Sequence, residues 1–426
     1  MVQKIIELAL RNKLVVIICA IGLFAWGIYA VKENPIDAIP DLSENQVIVF
    51  TEWMGRSPQV IEDQITYPLV SNLEGIPKVK NVRGASMFGM SFVYVIFEDN
   101  ADVYWARTRV LERLNYAQRL LPQGITPTLG PDGTGVGHVF WYTLDAKHMD
   151  LGEQRALQDW YIKFALQTVP GVAEVASFGG FEKQYQLVVD PVKLQFYNFS
   201  LMDVMNKVKA NNNDVGGRKF EMSGMAYIIR GLGYIKNKED IESIAIGNYS
   251  GIPVRVKDIG TVQMGGDLRL GIFDNNGEGE AVGGIVVMRN GENADKVITT
   301  LKAKMKEVKK GLPDGVDFKV AYDRSTLIEA SIETIKEKLF EEIGVVCIIV
   351  IIFLFHWRSA LSIIIQIPIT IAISFILLNA FGLSSNIMSL TGIALAIGVI
   401  VDNGIIMSEN AYRNLSDWQN NHKPNS

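Results

Sequence analysis

Histidine and cysteine are nearly absent from this chain, with four and two residues among 426. The histidines His138, His148, His356 and His422 are scattered and form no ligand cluster at zinc spacing. Cys19 and Cys347 each sit inside an apolar run, where they read as packing residues rather than as a disulfide or a metal pair. Positive charge is not in excess either: 41 Lys and Arg stand against 46 Asp and Glu, a net charge of −5. Nothing therefore points to nucleic acid. No Ser/His/Asp or Cys/His arrangement and no phosphate-binding glycine loop is present, so neither an enzyme nor a bound cofactor is expected. The stretch from about Lys32 to Ile335 has no apolar run of spanning length. A mean hydropathy of +0.17, high for a soluble protein, must then come from the two ends.

The ends supply four predicted membrane spans. Leu14–Val31 has about the length that crosses a bilayer. Lys4, Arg11 and Lys13 precede it and no small-x-small cleavage site follows before Lys32, so residues 1–31 read as a retained helix with a cytoplasmic N-terminus. A charged helical lead-in, Glu329–Glu342, runs into a second span at 338–356, which ends at His356-Trp357-Arg358. A third follows at 361–381, with Pro368 inside it, as spanning helices tolerate. The fourth is 386–413, and 414–426 is a polar cytoplasmic tail. The N-terminal charges, Arg358 and Arg413 then fall on one side, the cytoplasmic one, and the large loop between the first two spans lies on the other.

Within the fourth span, Gly392–Asn414, an unbroken run of small and apolar residues leads to Asp402. A carboxylate at that depth costs about 2.5–3.5 kcal/mol even on the lenient insertion scale, and such groups often move protons or ions. Glu409 falls within about 20° of Asp402 around the helix, and Thr391 and Met388 lie about 20° and 40° away. Asp402 and Glu409 are therefore the candidate proton relay. Glu409 also lies near the helix end marked by Tyr412 and Arg413, where it can snorkel to water. An aspartyl hydrolase would need a second acid close to Asp402, and Glu409 is about 10 Å further along the axis.

The large loop opens on the proline-rich stretch Pro35-Ile-Asp-Ala-Ile-Pro-Asp41. The pattern then becomes strand (Gln46–Met54), helix (from Ser57-Pro58 to about Leu73), strand (79–86), strand (91–98), helix (101–121) and strand (125–129), a ferredoxin-like split βαβ. The unit recurs. Ile76-Pro-Lys-Val-Lys-Asn-Val82 is matched by Val169-Pro-Gly-Val-Ala-Glu-Val175, and Leu121-Pro-Gln-Gly-Ile125 by Leu312-Pro-Asp-Gly-Val316, each joining a helix end to a strand start. The first unit is placed at 45–135, the second at 136–180 and 274–330, and an insert at 181–273. The insert carries one helix (Pro191–Asn211) and a hairpin around 216–235. The fold class expected is thus an α-helical membrane bundle with four spans plus an α+β domain of two ferredoxin-like βαββαβ units and an insert.

Taken together these features resemble a known family. Asp37-Ala-Ile-Pro-Asp-Leu-Ser43, Tyr104-Trp-Ala-Arg107, Gly130-Pro-Asp-Gly-Thr-Gly-Val-Gly137, Asn386-Ile-Met-Ser-Leu390 and Val401-Asp402 are similar to stretches of the heavy-metal efflux branch of the resistance–nodulation–division superfamily, nearest its copper/silver pump type. The resemblance implies a homotrimeric, multi-pass proton antiporter of the bacterial inner membrane. Its two porter units would lie in the periplasm, and its insert would dock an outer-membrane channel with the help of a periplasmic adaptor. It implies the proton relay role for Asp402. The multidrug branch carries two adjacent acids there, and Asn403 in the second position argues for metal rather than drugs. Thioethers suit the soft ions Cu(I) and Ag(I). Met388 and Met407 match methionine relay positions of the copper/silver type, while Leu268 and Ile400 stand where that type has Met, with Met264 close by. Met407 lies about 140° from Asp402, so one face cannot hold both. Packing is the alternative role for these methionines, as it is for Met54, Met87 and Met90 in the first porter unit.

Family members run to more than twice this length, with twelve spans. Their second half holds a lysine and a further acid to partner the fourth-helix acid, and the three-methionine metal site. The chain is therefore expected to be the N-terminal part of such a pump, with a copper or silver ion as transported cargo. A multidrug exporter of the same superfamily and a non-transporting, membrane-anchored module that binds an efflux adaptor are the alternatives.

Overall fold

The computed structural model describes residues 7, 9, 11–269, 271–354 and 357–421. The chain forms two compact units, one of Met1–Asp145, Ile162–Ala176 and Gly284–Ser426, the other of Ala146–Tyr161 and Ser177–Gly283. The first unit begins with the helix Lys13–Glu33, whose buried residues are Gly27 and Ala30. A Cβ at Gly27 would collide with the backbone and methyl group of Ala372 in the helix Trp357–Ala380. Small residues on both sides let the two backbones touch, the packing that membrane helices use in the absence of a hydrophobic drive.

The sequence predicts four spans, whereas among the described residues two helices are long and apolar enough to cross a membrane, Lys13–Glu33 and Ile387–Trp418. Ile364–Ala380 is a shorter apolar stretch. The second predicted span is the far end of one continuous helix, Arg324–Leu354, because the charged lead-in continues it without a break. Phe355 and His356, where that span is expected to end, lie outside the described residues. The last helix, Ile387–Asn421, continues through most of the predicted tail. Ile367, Ile393 and Ile397 are buried between the last two helices, with Ile371, Phe375, Leu378, Leu390 and Ile405 packed around them.

Between the first and second long helices stand two sheets. The first contains β1 (Gln46–Glu52), β2 (Val79–Met87), β3 (Met90–Phe97) and β4 (Thr128–Leu129). Its order is β2-β3-β1-β4, with antiparallel neighbours throughout. Alternation decides which face is covered: Val47, Val49 and Thr51 of β1 and Ser91, Val93, Val95 and Phe97 of β3 are buried. They pack with Ile61, Ile65, Leu69 and Leu73 of one helical segment and Ala106, Val110, Leu114 and Ala117 of the helix Val103–Ala117. The earlier segment is not a uniform helix. A wide turn, Glu62–Thr66, separates Pro58–Ile61 from Tyr67–Leu73. Pro68 explains it: proline has no N–H for the bond to the preceding turn, and its ring crowds that turn.

The second sheet contains β5 (Gly133–Asp145), β6 (Val172–Phe178), β7 (Gly283–Arg289) and β8 (Asp317–Asp323). Its order, β8-β5-β7-β6, repeats the fourth-first-third-second order of the first sheet. Val139, Phe140, Tyr142 and Leu144 of β5 are buried, as are Ile298 and Leu301 of the helix Ala294–Lys309.

The other unit has its own core of Val204, Ile241, Ile244, Ile246, Val254, Val256, Ile259 and Val262. Where the sequence suggests one helix over Pro191–Asn211, the structure has two, Pro191–Tyr197 and Leu201–Ala210. Asn198 between them is left-handed at φ 58°, and Ser200 starts the second helix by a reciprocal cap with Asp203. The expected hairpin is Val215–Met222 paired with Met225–Gly231. Its turn, Ser223-Gly224, has positive φ at both residues, which matches the twist of the strands.

Candidate functional site

The helix Ile387–Asn421 carries all four candidate residues, and it packs against the helices Arg324–Leu354 and Trp357–Ala380. Taking Asp402 as zero, the contact residues Leu390, Ile393, Ile397 and Ile405 fall at about 180–300° around the axis. Glu409 lies within about 20° of Asp402, and both fall outside this arc, with Ile405 about 40° from Glu409. Both acids are exposed, and among the described residues neither makes an ion pair. The structure thus places the two carboxylates on a common face that the other described helices leave uncovered.

The two methionines are not brought together. Met388 is near the start of the helix and Met407 nineteen residues later, about 28 Å along the axis. Both are exposed. Met388 borders a cavity of about 500 Å³, whose wall also includes Met288, Asp37, Asp41, Glu292 and Asn386. Two methionines and three acidic residues thus border one space where the helix start meets the second sheet. Asn386 fixes that start, its side-chain oxygen accepting from the N–H groups of Met388 and Ser389 at 3.0 Å each. Among the described residues no group of three or more His, Cys, Asp or Glu is placed to hold a metal ion. Thioether and mixed-donor sites are the arrangement these side chains can offer.

Beside this cavity is a polar joint that the sequence alone does not reveal. Where β8 passes into the helix Arg324–Leu354, Arg324 is 4% exposed at its side chain and lies 2.8 Å from an Asp37 carboxyl oxygen. It also donates to the carbonyl of Val136 in β5. The next residue on either side is anchored too. Asp323 pairs with Lys302 of the helix Ala294–Lys309 at 2.5 Å and accepts from the Ser325 hydroxyl at 2.8 Å. The chain leaving the first helix is tied to the loop before the last one: Asn34 donates to the buried Ser385 hydroxyl at 2.7 Å, and Ser385 N–H to the Pro35 carbonyl at 2.8 Å. Burial pushes the Asp37 carboxyl above its ordinary range, although Arg324 and the N–H groups of Ala38 and Ile39 pull it down. Asp323 is held below that range. Burial alone would raise it, but hydrogen bonds from Lys302 and Ser325 outweigh burial.

Asp37 belongs to a quoted sequence stretch, yet nothing in that stretch names its partner. Arg324 follows a strand and precedes a long helix, and a charge at such a boundary looks like an ordinary cap. Only the fold brings residues 37, 136 and 324 together.

Long apolar helices flank two copies of one α+β unit, and two acids are exposed on a face of the last helix. The model of the AcrB/AcrD/AcrF family matches residues 5–426, and the chain belongs to that family, within its heavy-metal efflux branch. It is 46% identical to the putative cation efflux system protein SilA of Salmonella typhimurium over 99% of this chain and 41% of the relative. It is 45% identical to the cation efflux system protein CusA of Escherichia coli strain K12, again over 99% of this chain and 41% of the relative. A crystal structure of a heavy metal efflux pump superposes with a TM-score of 0.86 at 33% identity, covering 96% of this chain and 41% of that one. The chain thus spans about two-fifths of the length of these relatives.

Proposed function

We propose that this chain is the N-terminal portion of a proton-driven exporter of heavy-metal cations, with Cu(I) or Ag(I) as cargo, and not an enzyme. The observation that carries the reading is the exposure of both acids on one face of Ile387–Asn421. Asp402 and Glu409 share a face outside the arc of Leu390, Ile393, Ile397 and Ile405. A carboxylate facing lipid is expensive, so that face is read as covered by the remaining helices of a longer bundle, with proton exchange at Asp402. Glu409 extends the same path toward the helix end. The cavity beside Met388 supports a cation route reaching the porter units, and thioethers favour soft monovalent ions over Zn(II). Met407, at the far end of the helix, belongs to a separate position on that route. The setting proposed is the bacterial inner membrane, with the two sheets in the periplasm, a trimeric pump, and a periplasmic adaptor and outer-membrane channel as partners.

The test is Asp402→Asn in the complete transporter, expressed in a metal-sensitive bacterium. Resistance to Cu(I) and Ag(I) is expected to vanish while trimer formation and adaptor binding persist. Unimpaired resistance in that variant removes Asp402 from the proton path. Protection by the unmodified transporter against Zn(II) and Co(II), but not against Cu(I) or Ag(I), overturns the cargo assignment.

A further inference from the structure

Three methionines outside the membrane helices meet at one end of the first sheet. Met87 and Met90 flank the two-residue turn Phe88-Gly89 and stand directly across from each other in the β2–β3 register. Directly paired residues project to the same face with Cβ atoms about 4.5–5.5 Å apart. That face is the one without helices, since the alternate residues Ser91 and Val93 are buried on the other. Glu52, the last residue of β1, is paired with Met90 from the other side and shares the face.

The third thioether is held there by the backbone. Beyond Glu52, Trp53 N–H donates to Gly89 O at 2.8 Å, and Gly89 N–H to Arg56 O at 3.0 Å. These bonds fold the Trp53–Arg56 segment onto the hairpin turn. Gly89 is left-handed, at φ 72°, and a Cβ there would lie 3.1 Å from the Met54 sulfur. The glycine therefore serves two needs: it makes the turn, and its missing side chain admits the Met54 thioether against the turn that joins Met87 to Met90. The strand ends beneath are fixed. Ser86 and Ser91, each next to one of the methionines, both share a hydrogen bond of 2.8 Å with the Thr66 hydroxyl on the helix side.

These side chains do not serve the core. Met54 is 50% exposed and Met87 53%, and the core of this unit is closed by residues other than the three methionines. Methionine that fills a gap is buried, whereas Met54 and Met87 face outward on a supported turn, with Met90 half-buried beside them. Three neutral, polarisable thioethers on flexible stems are a donor set for a soft monovalent cation and a poor one for Zn(II) or Mg(II). The Glu52 carboxylate beside Met90 adds a compensating negative charge. The guanidinium of Arg56, in the same segment, is stacked over the Trp53 ring at 4.7 Å.

We propose that Met54, Met87 and Met90 form a three-thioether site that binds Cu(I) or Ag(I) at the hairpin end of the first porter sheet. The assignment rests on the exporter reading for its cargo, and it adds a soluble-side station to it, distinct from Met388 and Met407.

The experiment is a titration of the whole chain in detergent, labelled with 13C at the methionine methyl groups, with Ag(I) in chloride-free buffer. Met54→Leu, Met87→Leu and Met90→Leu assign the three signals. These signals are expected to move together and saturate at one equivalent, and the triple leucine variant is expected to bind one Ag(I) fewer. Zn(II) should leave all three signals in place. Signals that drift independently without saturating, or a triple variant that binds as many Ag(I) ions as the parent, overturn the site. Because the triple variant could fold poorly, Met87→Leu alone is the second measure: it should weaken the Met54 and Met90 responses at least tenfold in Ag(I) concentration, and an unchanged response overturns the site. Saturable binding in a transporter that confers no metal resistance would defeat the exporter reading alone. Resistance without binding at this turn would defeat the site alone.

Discussion

Arg324 and Asp37, far apart in sequence, form a buried ion pair that joins the start of a long helix to the chain that leaves the first one. The pair sits where four segments meet: the exit from Lys13–Glu33, β5, β8 and the helix Arg324–Leu354. A charge removed from such a pair leaves its partner buried and uncompensated, at a cost of about 3–5 kcal/mol. Arg324→Met alone should therefore lower thermal stability in detergent by that order. Replacing both partners, Asp37→Leu with Arg324→Met, should recover a large part of the loss, since an apolar pair carries no orphaned charge. Equal losses in the single and double variants would show that Arg324 acts through the Val136 carbonyl instead.

The acids on either side of this joint should respond to pH with opposite signs. Asp37 titrates above its ordinary range in the folded chain, so the folded state holds its proton more tightly than the unfolded one. Its contribution to stability is full below the unfolded value and is lost as pH rises through the folded one. Asp323 titrates below its ordinary range, so its contribution is present above the unfolded value and is lost as pH falls through the folded one. Melting curves of Asp37→Asn and Asp323→Asn across the acidic range, each compared with the parent, check this. Raising the pH from the carboxylate range toward neutrality should shift the comparison in favour of Asp37→Asn and against Asp323→Asn. The same slope for both variants would contradict the opposed environments.

What the sequence revealed and what it hid divide along a physical line. Local periodicity carries the order of elements, because alternation in Val47–Thr51 and the 3.6-residue pattern in Val103–Ala117 record which face is buried. The duplication was legible for the same reason: helix ends and strand starts recur at Pro77, Pro122, Pro170 and Pro313. Long-range pairing leaves no such trace. Neither the Arg324–Asp37 pair nor the Ser385–Pro35 bond follows from anything within ten residues of its members. Of the four expected spans, two are helices long and apolar enough to cross a membrane among the described residues, and the second shares one continuous helix with its charged lead-in, which dilutes its apolar character. Asp402 and Glu409 were placed on one face by arithmetic, but which face was packed required Leu390, Ile393 and Ile397.

At Gly27 the first helix closely approaches Trp357–Ala380, and the contact is with the backbone and short methyl group of Ala372 rather than a movable side chain. Gly27→Val should separate the two helices at a cost of about 1–3 kcal/mol. Gly22, on the same helix, has no atom within 4 Å of the place a Cβ would occupy, and Gly22→Val should stay within about 0.5 kcal/mol of the parent. Unfolding in detergent monitored by circular dichroism distinguishes the two positions. A larger loss at residue 22 than at residue 27 would contradict the close approach.

The break between Pro191–Tyr197 and Leu201–Ala210 offers a check in the other compact unit. A left-handed backbone costs a residue with a Cβ about 1–2 kcal/mol, less for Asn, and nothing steric for glycine. Asn198→Gly should therefore be neutral or slightly stabilising, while Asn198→Val should destabilise by about that amount. Ser200 accepts from Asp203 N–H at 3.1 Å, and Asp203 accepts from Ser200 N–H at 3.0 Å. Ser200→Ala removes one arm of this cap and should cost about 1 kcal/mol. If the two helices joined into one in solution, as the uninterrupted pattern of Pro191–Asn211 suggests, the ranking would invert. Glycine would then be the worst residue at position 198 and alanine would be tolerated at position 200, so the order of melting temperatures among the three variants decides between a broken and a continuous helix.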